Sequence, residues 1–278
     1  MTATKALLLD LAATVTTDDP ELRNAVHAAS SLAHGYTHRW FVPFVQTRTY
    51  DAIGDHIGAY YLDLDTDLLE LTTLTNGDSA AIASSIYLLR PSNVTPKNRI
   101  ELRLSGFTSF RYNTDWQAAI SVDGIWGYHD DYTNAWGSTG QTLASGINSS
   151  ATTFDVTSAA ASVDDQYRTA FEVLGYLKIE NEMLQITNIS TDTLTVLRGV
   201  NGTTAASHSS GVAIKNYRQI PEIESAVGSL AAWLYRNRQT IGERVTFLSG
   251  AEIVTNIAPQ NIRDTLVRYE RQRILAAG

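Results

Sequence analysis

Within IPEIESAVGSLAAWLYRNR (220–238), Ile223, Ala226, Val227, Leu230, Trp233 and Leu234 stand at offsets 0, 3, 4, 7, 10 and 11. That is one apolar stripe at helical period. Pro221 suits the first turn of such a helix, where its missing N–H costs nothing. Glu222 and Glu224 sit at the positive end of the helix dipole, and Arg236 and Arg238 at the negative end. Towards the other terminus, Leu22, Ala25, Val26, Ala29, Leu32 and Ala33 repeat the same offsets. Short isolated helices are marginal in water. The two stripes are therefore expected to pack on each other and to carry the rest of the chain between them. KALLLDLAAT (5–14) predicts a further short helix. Asp18 or Asp19 can cap the next one, which runs from Pro20 to about His34 with Gly35 as its left-handed stop. PQNIRDTLVRYERQRIL predicts a last helix with Ile262, Leu266 and Tyr269 on one side. The stretch before it, GERVTFLSGAEIVTNIAP, reads as a loop rich in β-branched residues.

Between the helical ends the period changes to two. YTHRWFVPFVQTRTYD, with Pro43 inside it, reads as an extended connector leading into a strand. YLDLDTDLLELTTL alternates Leu62 and Leu64 with Asp63 and Asp65, and NGDS (76–79) suits a tight turn. SIYLLR, RIELRL and AISVDGIWGY continue the strands, with turns expected at PSN and SVDG, in a sheet of about five strands. From 137–141 the composition shifts to Ser, Thr, Gly and Ala. The strands that follow alternate Leu177 and Ile179, Leu184 and Ile186, and Leu194 and Val196, with Asn, Asp, Ser and Gly in the turns. This second stretch reads as a module spliced into a host loop.

The expected fold class is α+β: a helical bundle frame formed by the N- and C-terminal helices, with an inserted antiparallel β-sheet domain and a second small β-module. The corresponding divisions are 1–40 for the N-terminal helices, 41–138 for the β domain, 139–216 for the module and 217–278 for the C-terminal helices and tail.

Composition narrows the function. The chain has 278 residues, is 44% hydrophobic and carries a formal net charge of −8. It lacks the basic face or tail of a general nucleic-acid binder. With no cysteine, disulfides, thiolate metal sites and cysteine nucleophiles are excluded. No apolar run approaches the roughly 20 residues that span a bilayer, and no secretory leader is evident. The protein is expected to be made and used without secretion, which leaves the N-x-S/T sequons at Asn93, Asn148, Asn188 and Asn201 incidental.

The chemistry-bearing residues form no catalytic set. DLDTD (63–67) resembles the front of a calcium loop, but Leu68 stands where the turn needs Gly and Leu74 where a bidentate Glu belongs. His34 and His38 have i, i+4 spacing without the Glu or third ligand of a zinc helix. RGVNGTTAASHSSG lacks the Gly-Lys-Ser/Thr core of a phosphate loop, and no G-x-S-x-G elbow is present. No enzyme, cofactor or metal is expected. One cluster stands apart: GIWGYHDDYTNAWG brings Trp126, Tyr128, Tyr132 and Trp136 together with Asp130 and Asp131. Such a group can stack on a sugar, form a protein interface or be buried as core.

Two segments carry a family resemblance. TTDDPELRNAVHAASSLAHGYTHRWF and IPEIESAVGSLAAWLYRNR together resemble the head-to-tail adaptor (connector) proteins of long-tailed bacteriophages. KIENEMLQITNISTDTLTVLRGVNGTTAASHSSGVAI resembles a β-module recurrent in phage structural proteins. The resemblance implies a ring of about twelve copies closed by heterologous contacts. It would sit at the neck of the virion, assembled in the host cytoplasm. Its partners would be the portal protein above, a tail-completion or tail-terminator protein below, and further copies of itself. DNA would pass through an acidic channel without specific binding, and no membrane is involved. In the resembled family the C-terminal segment docks on the portal. Here that points to Arg263, Arg268, Arg271, Arg273, Ile274 and Leu275, where arginines outweigh acids in an otherwise acidic chain. The alternative is a virion surface or tail protein that binds host carbohydrate through the Trp126–Trp136 loop.

Overall fold

The computed structural model describes residues 20–162, 169–237, 244–246, 252–254 and 259–271. The helix expected at 5–14, its capping aspartates, and Arg273, Ile274 and Leu275 lie outside the described residues.

In chain order come α1 (Pro20–Thr37), β1 (Phe44–Tyr50), β2 (Ile57–Gly58), β3 (Tyr61–Thr75), β4 (Tyr87–Arg90), β5 (Lys97–Leu102) and β6 (Ile120–Trp126). A one-turn helix α2 (Tyr132–Ala135) leads to β7 (Trp136–Thr142), β8 (Thr153–Asp155), β9 (Tyr176–Ile179), β10 (Glu182–Ser190), β11 (Thr193–Leu197) and β12 (Ala213–Tyr217). α3 (Pro221–Arg236), β13 (Arg244–Thr246), β14 (Glu252–Val254) and α4 (Gln260–Val267) follow. These elements fall into two compact units, one made of α1, α3, α4 and the β13–β14 pair, the other of both larger sheets.

The fold differs from the helical frame that the two stripes predict. The described chain is mostly β, with two antiparallel six-stranded sheets and four short helices, not a helical bundle frame. The residues filling the cores explain the difference. Both large apolar clusters belong to the sheets, around Leu62, Leu68, Ile100, Ile120 and Trp126 in one and Leu177, Ile179, Leu184, Ile186 and Leu194 in the other. The apolar residues that α1 and α3 bury are mostly alanines, Ala25, Ala29, Ala33, Ala226, Ala231 and Ala232, and alanine buries little area per residue.

In the helical unit, α1 turns Leu22, Ala25, Ala29 and Ala33 inward, and α3 does so with Ile223, Ala226, Leu230 and Ala231. The two helices pack on each other and α4 packs on both, burying Ile262 and Leu266. Trp233, placed in the core by its period, is half-buried. Gly35 does not stop α1. The helix runs on to Thr37, whose hydroxyl bonds back to the Ala33 carbonyl at 2.8 Å, and His38 takes the left-handed turn at φ 53°. The stretch expected as a loop before α4 contains the antiparallel pair β13–β14. Leu230→Ala should lower unfolding stability by about 2–5 kcal/mol, as for other buried leucines. A loss under about 0.5 kcal/mol in urea titration would place this stripe at the surface.

The first sheet runs β1-β6-β3-β5-β4, with β2 paired to β3. SVDG is not a turn, because β6 passes straight through it with alternate residues buried. Its Gly124 is needed where β3 comes close: a Cβ there would stand 2.5 Å from the Glu70 carbonyl oxygen. The second sheet runs β7-β12-β9-β10-β11-β8. Its first and last strands in sequence, β7 and β12, pair with each other, so the module enters and leaves at one place. The turn after β11 ties it to the first sheet at the edge strand β1. There Val45 N–H donates to the Asn201 carbonyl at 2.8 Å, and Asn201 Nδ2 donates to the Pro43 carbonyl at 3.1 Å. Gly202, at φ +79°, lies so close that a Cβ would sit 2.0 Å from the Val45 carbonyl oxygen.

Candidate interaction site

The four aromatics of the 126–136 loop do not share one environment. Trp126 ends β6 fully buried, its indole N–H donating to the Gln46 carbonyl at 2.8 Å with the Arg48 guanidinium 5.4 Å above its ring. It is core, which removes one ring from any sugar platform. Tyr128 is half-buried edge-on against Phe41, ring centroids 5.9 Å apart. His129 fastens the start of the loop: its Nε2 lies 2.9 Å from the Arg218 carbonyl, and its Nδ1 accepts from Asp131 N–H at 2.9 Å. The pair of contacts selects the tautomer with the proton on Nε2. Asp130 and Asp131 are left exposed.

Tyr132 and Trp136 instead line an open groove of about 590 Å³. Its lining draws on both sheets, with Glu70 of β3 from the first and Lys178, Glu180 and Lys215 from the second. Burial pushes the Tyr132 hydroxyl up, and nearby Glu70 adds to the rise. Trp136 packs on Tyr217 with centroids 5.0 Å apart, and the Lys178 ammonium lies 5.8 Å from its ring centre. Tyr217 is held in turn by its hydroxyl, which donates to the Phe41 carbonyl at 2.8 Å, and burial pushes its acidity far down.

The β-module signature resolves into one buried network. Glu182 accepts from Arg198 Nε at 2.7 Å and Nη2 at 2.8 Å, from Gly199 and Ala206 N–H at 3.0 Å each, and lies 2.8 Å from His208 Nε2. The other ring nitrogen of His208 lies 2.7 Å from Glu180. Arg198 also donates to the carbonyls of Asn148, Ala151 and Ala206, lacing two loops to the strand. The Glu182 and His208 side chains are each 1% exposed. Burial alone would raise the Glu182 carboxyl, but Arg198, the two amides and His208 outweigh it and hold it at about 2. The glycines and Asn201 of RGVNG serve turns, with Gly199, Asn201 and Gly202 all at positive φ.

Two of the DLDTD carboxylates, Asp63 and Asp65, are engaged by arginines of the chain. Asp63 pairs with Arg99, Nη2 to Oδ2 at 2.9 Å. Asp65 accepts from Arg48 Nε at 3.1 Å and from the Tyr50 hydroxyl at 2.7 Å. Burial would raise the Asp65 carboxyl, yet these bonds hold it below its ordinary value. Asp67 is buried. His34 Nδ1 lies 3.0 Å from the Arg39 carbonyl, and His38 is exposed. Among the described residues no group of three His, Cys, Asp or Glu is placed to hold a metal ion, and no helix is long and apolar enough to cross a membrane.

Of the tail residues, Arg263 bonds to Gln260 on α4, Arg268 stands 3.6 Å from Glu222 of α3, and the Arg271 N–H donates to the Thr37 carbonyl at 2.8 Å. Tyr269 joins them, its hydroxyl donating to Glu222 at 2.9 Å. The groove lysines and the Glu182–His208 pair were not singled out from sequence. Lys178 and Lys215 are far apart along the chain and carry no local pattern, whereas Glu182, Arg198 and His208 lay inside the module signature without an assigned role. No protein-family model matches the chain, and no curated protein or solved structure matches it.

Proposed function

We propose that this chain is a structural, non-catalytic head-to-tail adaptor of a tailed bacteriophage. It forms a ring of about twelve copies beneath the portal, closed by heterologous contacts. The observation that carries the reading is the pairing of α1 with α3. These helices bear the two segments that resemble the adaptor family, and they lie together in one unit although 183 residues, 38 to 220, separate them. The acidic balance is a second support: repeated around a ring, a charge of −8 per chain repels a DNA backbone and lets it pass without sticking. Arg263, Arg268 and Arg271, with Arg273, Ile274 and Leu275 beyond them, dock the ring on the portal. The tail-completion or tail-terminator protein binds the opposite face.

The buried Ile262 and Leu266 set where the tail can be cut. Removing everything after Ala258 would take α4 out of its unit, so the test ends the chain after Arg271. End-on electron micrographs of the intact protein mixed with purified portal should show a closed ring on the portal face. The chain ending at Arg271 should melt as the intact protein does yet fail to bind. Portal binding that survives the cut removes Arg273, Ile274 and Leu275 from the docking surface, and the absence of any ring from the intact protein refutes the adaptor reading.

A further inference from the structure

The groove holds a like-charged pair without an acidic partner among the described residues. Lys178 on β9 and Lys215 on β12 stand directly opposite each other in the ladder, an arrangement that destabilises a sheet unless something neutralises it. Elsewhere in the β unit Arg48, Arg90, Arg99, Arg111 and Arg198 are each met by a carboxylate. In the groove itself Glu180 bonds to His208, and Glu70, near enough to raise the Tyr132 hydroxyl, makes no ion pair with either lysine.

The same unit carries the complement. The loops after β1 and before β6 are tied together, Ala52 N–H to the Trp116 carbonyl and Ala118 N–H to Asp51 Oδ1, each at 2.8 Å. They project as a knob on which Asp55 and Asp115 are exposed, flanked by Ile53 at 51% exposure and Trp116 at 38%. Knob and groove lie at opposite ends of the same strands. The register of β1 on β6 runs from Phe44↔Trp126 beside the groove to Tyr50↔Ile120 beside the knob. Six residue steps in a strand cover about 20 Å. Within one chain, these lysines and aspartates are too far apart to pair.

We infer that the knob of one copy docks into the groove of the next, Asp55 and Asp115 meeting Lys178 and Lys215 while Trp116 and Ile53 pack against Trp136 and Tyr132. This inference rests on the ring reading and names the contact that closes the ring. Two different patches on one chain make a heterologous interface, the kind that propagates head to tail until rotation closes it. Aromatics at the centre supply contact area. The charge pairs fix the register and make the contact salt-sensitive.

The test is sedimentation velocity of the full chain, alone and with purified portal rings, on the wild type, K178E/K215E and D55K/D115K, with thermal melts to check folding. Each double variant by itself should need about tenfold or more protein to associate. An equimolar mixture of the two should recover wild-type association, because each altered face then meets its opposite charge. Wild-type association that persists in both variants overturns this contact while leaving the ring intact. Loss in both variants without rescue on mixing also overturns it. A wild type that stays monomeric alone and on the portal removes the ring and this contact together.

Discussion

Glu182→Ala should lower unfolding stability by about 3–5 kcal/mol, because it leaves a buried cation without its counter-charge. The Arg198 and His208 side chains are 6% and 1% exposed, so water cannot replace the lost carboxylate. The amides of Gly199 and Ala206 lose their acceptor at the same time. Denaturant titration of the variant measures the cost, and a loss under about 1 kcal/mol would mean that the site admits water. The same residue gives stability a pH dependence. The Glu182 carboxyl titrates at about 2 in the fold, against 4.5 ordinarily. A depressed value stabilises the folded state fully above the ordinary one and loses that contribution as pH falls from 4.5 towards 2. At about 1.4 kcal/mol for each pH unit, the window is worth on the order of 3 kcal/mol. Asp65, also held low, works in the same direction. Glu182→Gln should flatten the acid limb of the stability profile; a limb as steep as the wild type's would assign it to other carboxylates.

Trp126→Ala should also cost about 3–5 kcal/mol, the range for emptying a large buried aromatic site. The indole fills the first sheet's core between β1 and β3, and its N–H satisfies the Gln46 carbonyl. Trp136→Ala, at a half-buried position, should cost about 1 kcal/mol, near the centre of the range for point mutants. Thermal melts of the two variants compare them directly. Equal, small losses would return Trp126 to the exposed platform that its sequence neighbourhood suggested.

That neighbourhood shows how far the chain can be read without its fold. Trp126, Tyr128, Tyr132 and Trp136 look alike in an eleven-residue window, yet the first completes a strand and the last opens the next sheet. Aromatic side chains suit core and interface equally well, so composition cannot separate the two. Gly124 misled in a similar way. Asp-Gly is the usual chemistry of a tight turn, but here the glycine serves a close approach between strands, and only the neighbouring strand reveals it.

The periods themselves were legible. Leu22, Ala25, Ala29 and Ala33 are buried as a helical stripe, and Leu177, Ile179, Leu184 and Ile186 as alternating strand positions. Burial of one face writes a local pattern into the chain, at 3.6 residues or at two, and local patterns survive in a linear reading. Which of these faces holds the larger core was decided by tertiary structure. The helices keep their period while burying mostly alanines, so the sheets, with their leucines and isoleucines, carry most of the core. The Glu182–His208 pair, separated by 26 residues, and the Lys178–Lys215 pair also had to wait for the fold. Pairings between distant strands depend on register, and register is set by the whole sheet rather than by either residue's neighbours.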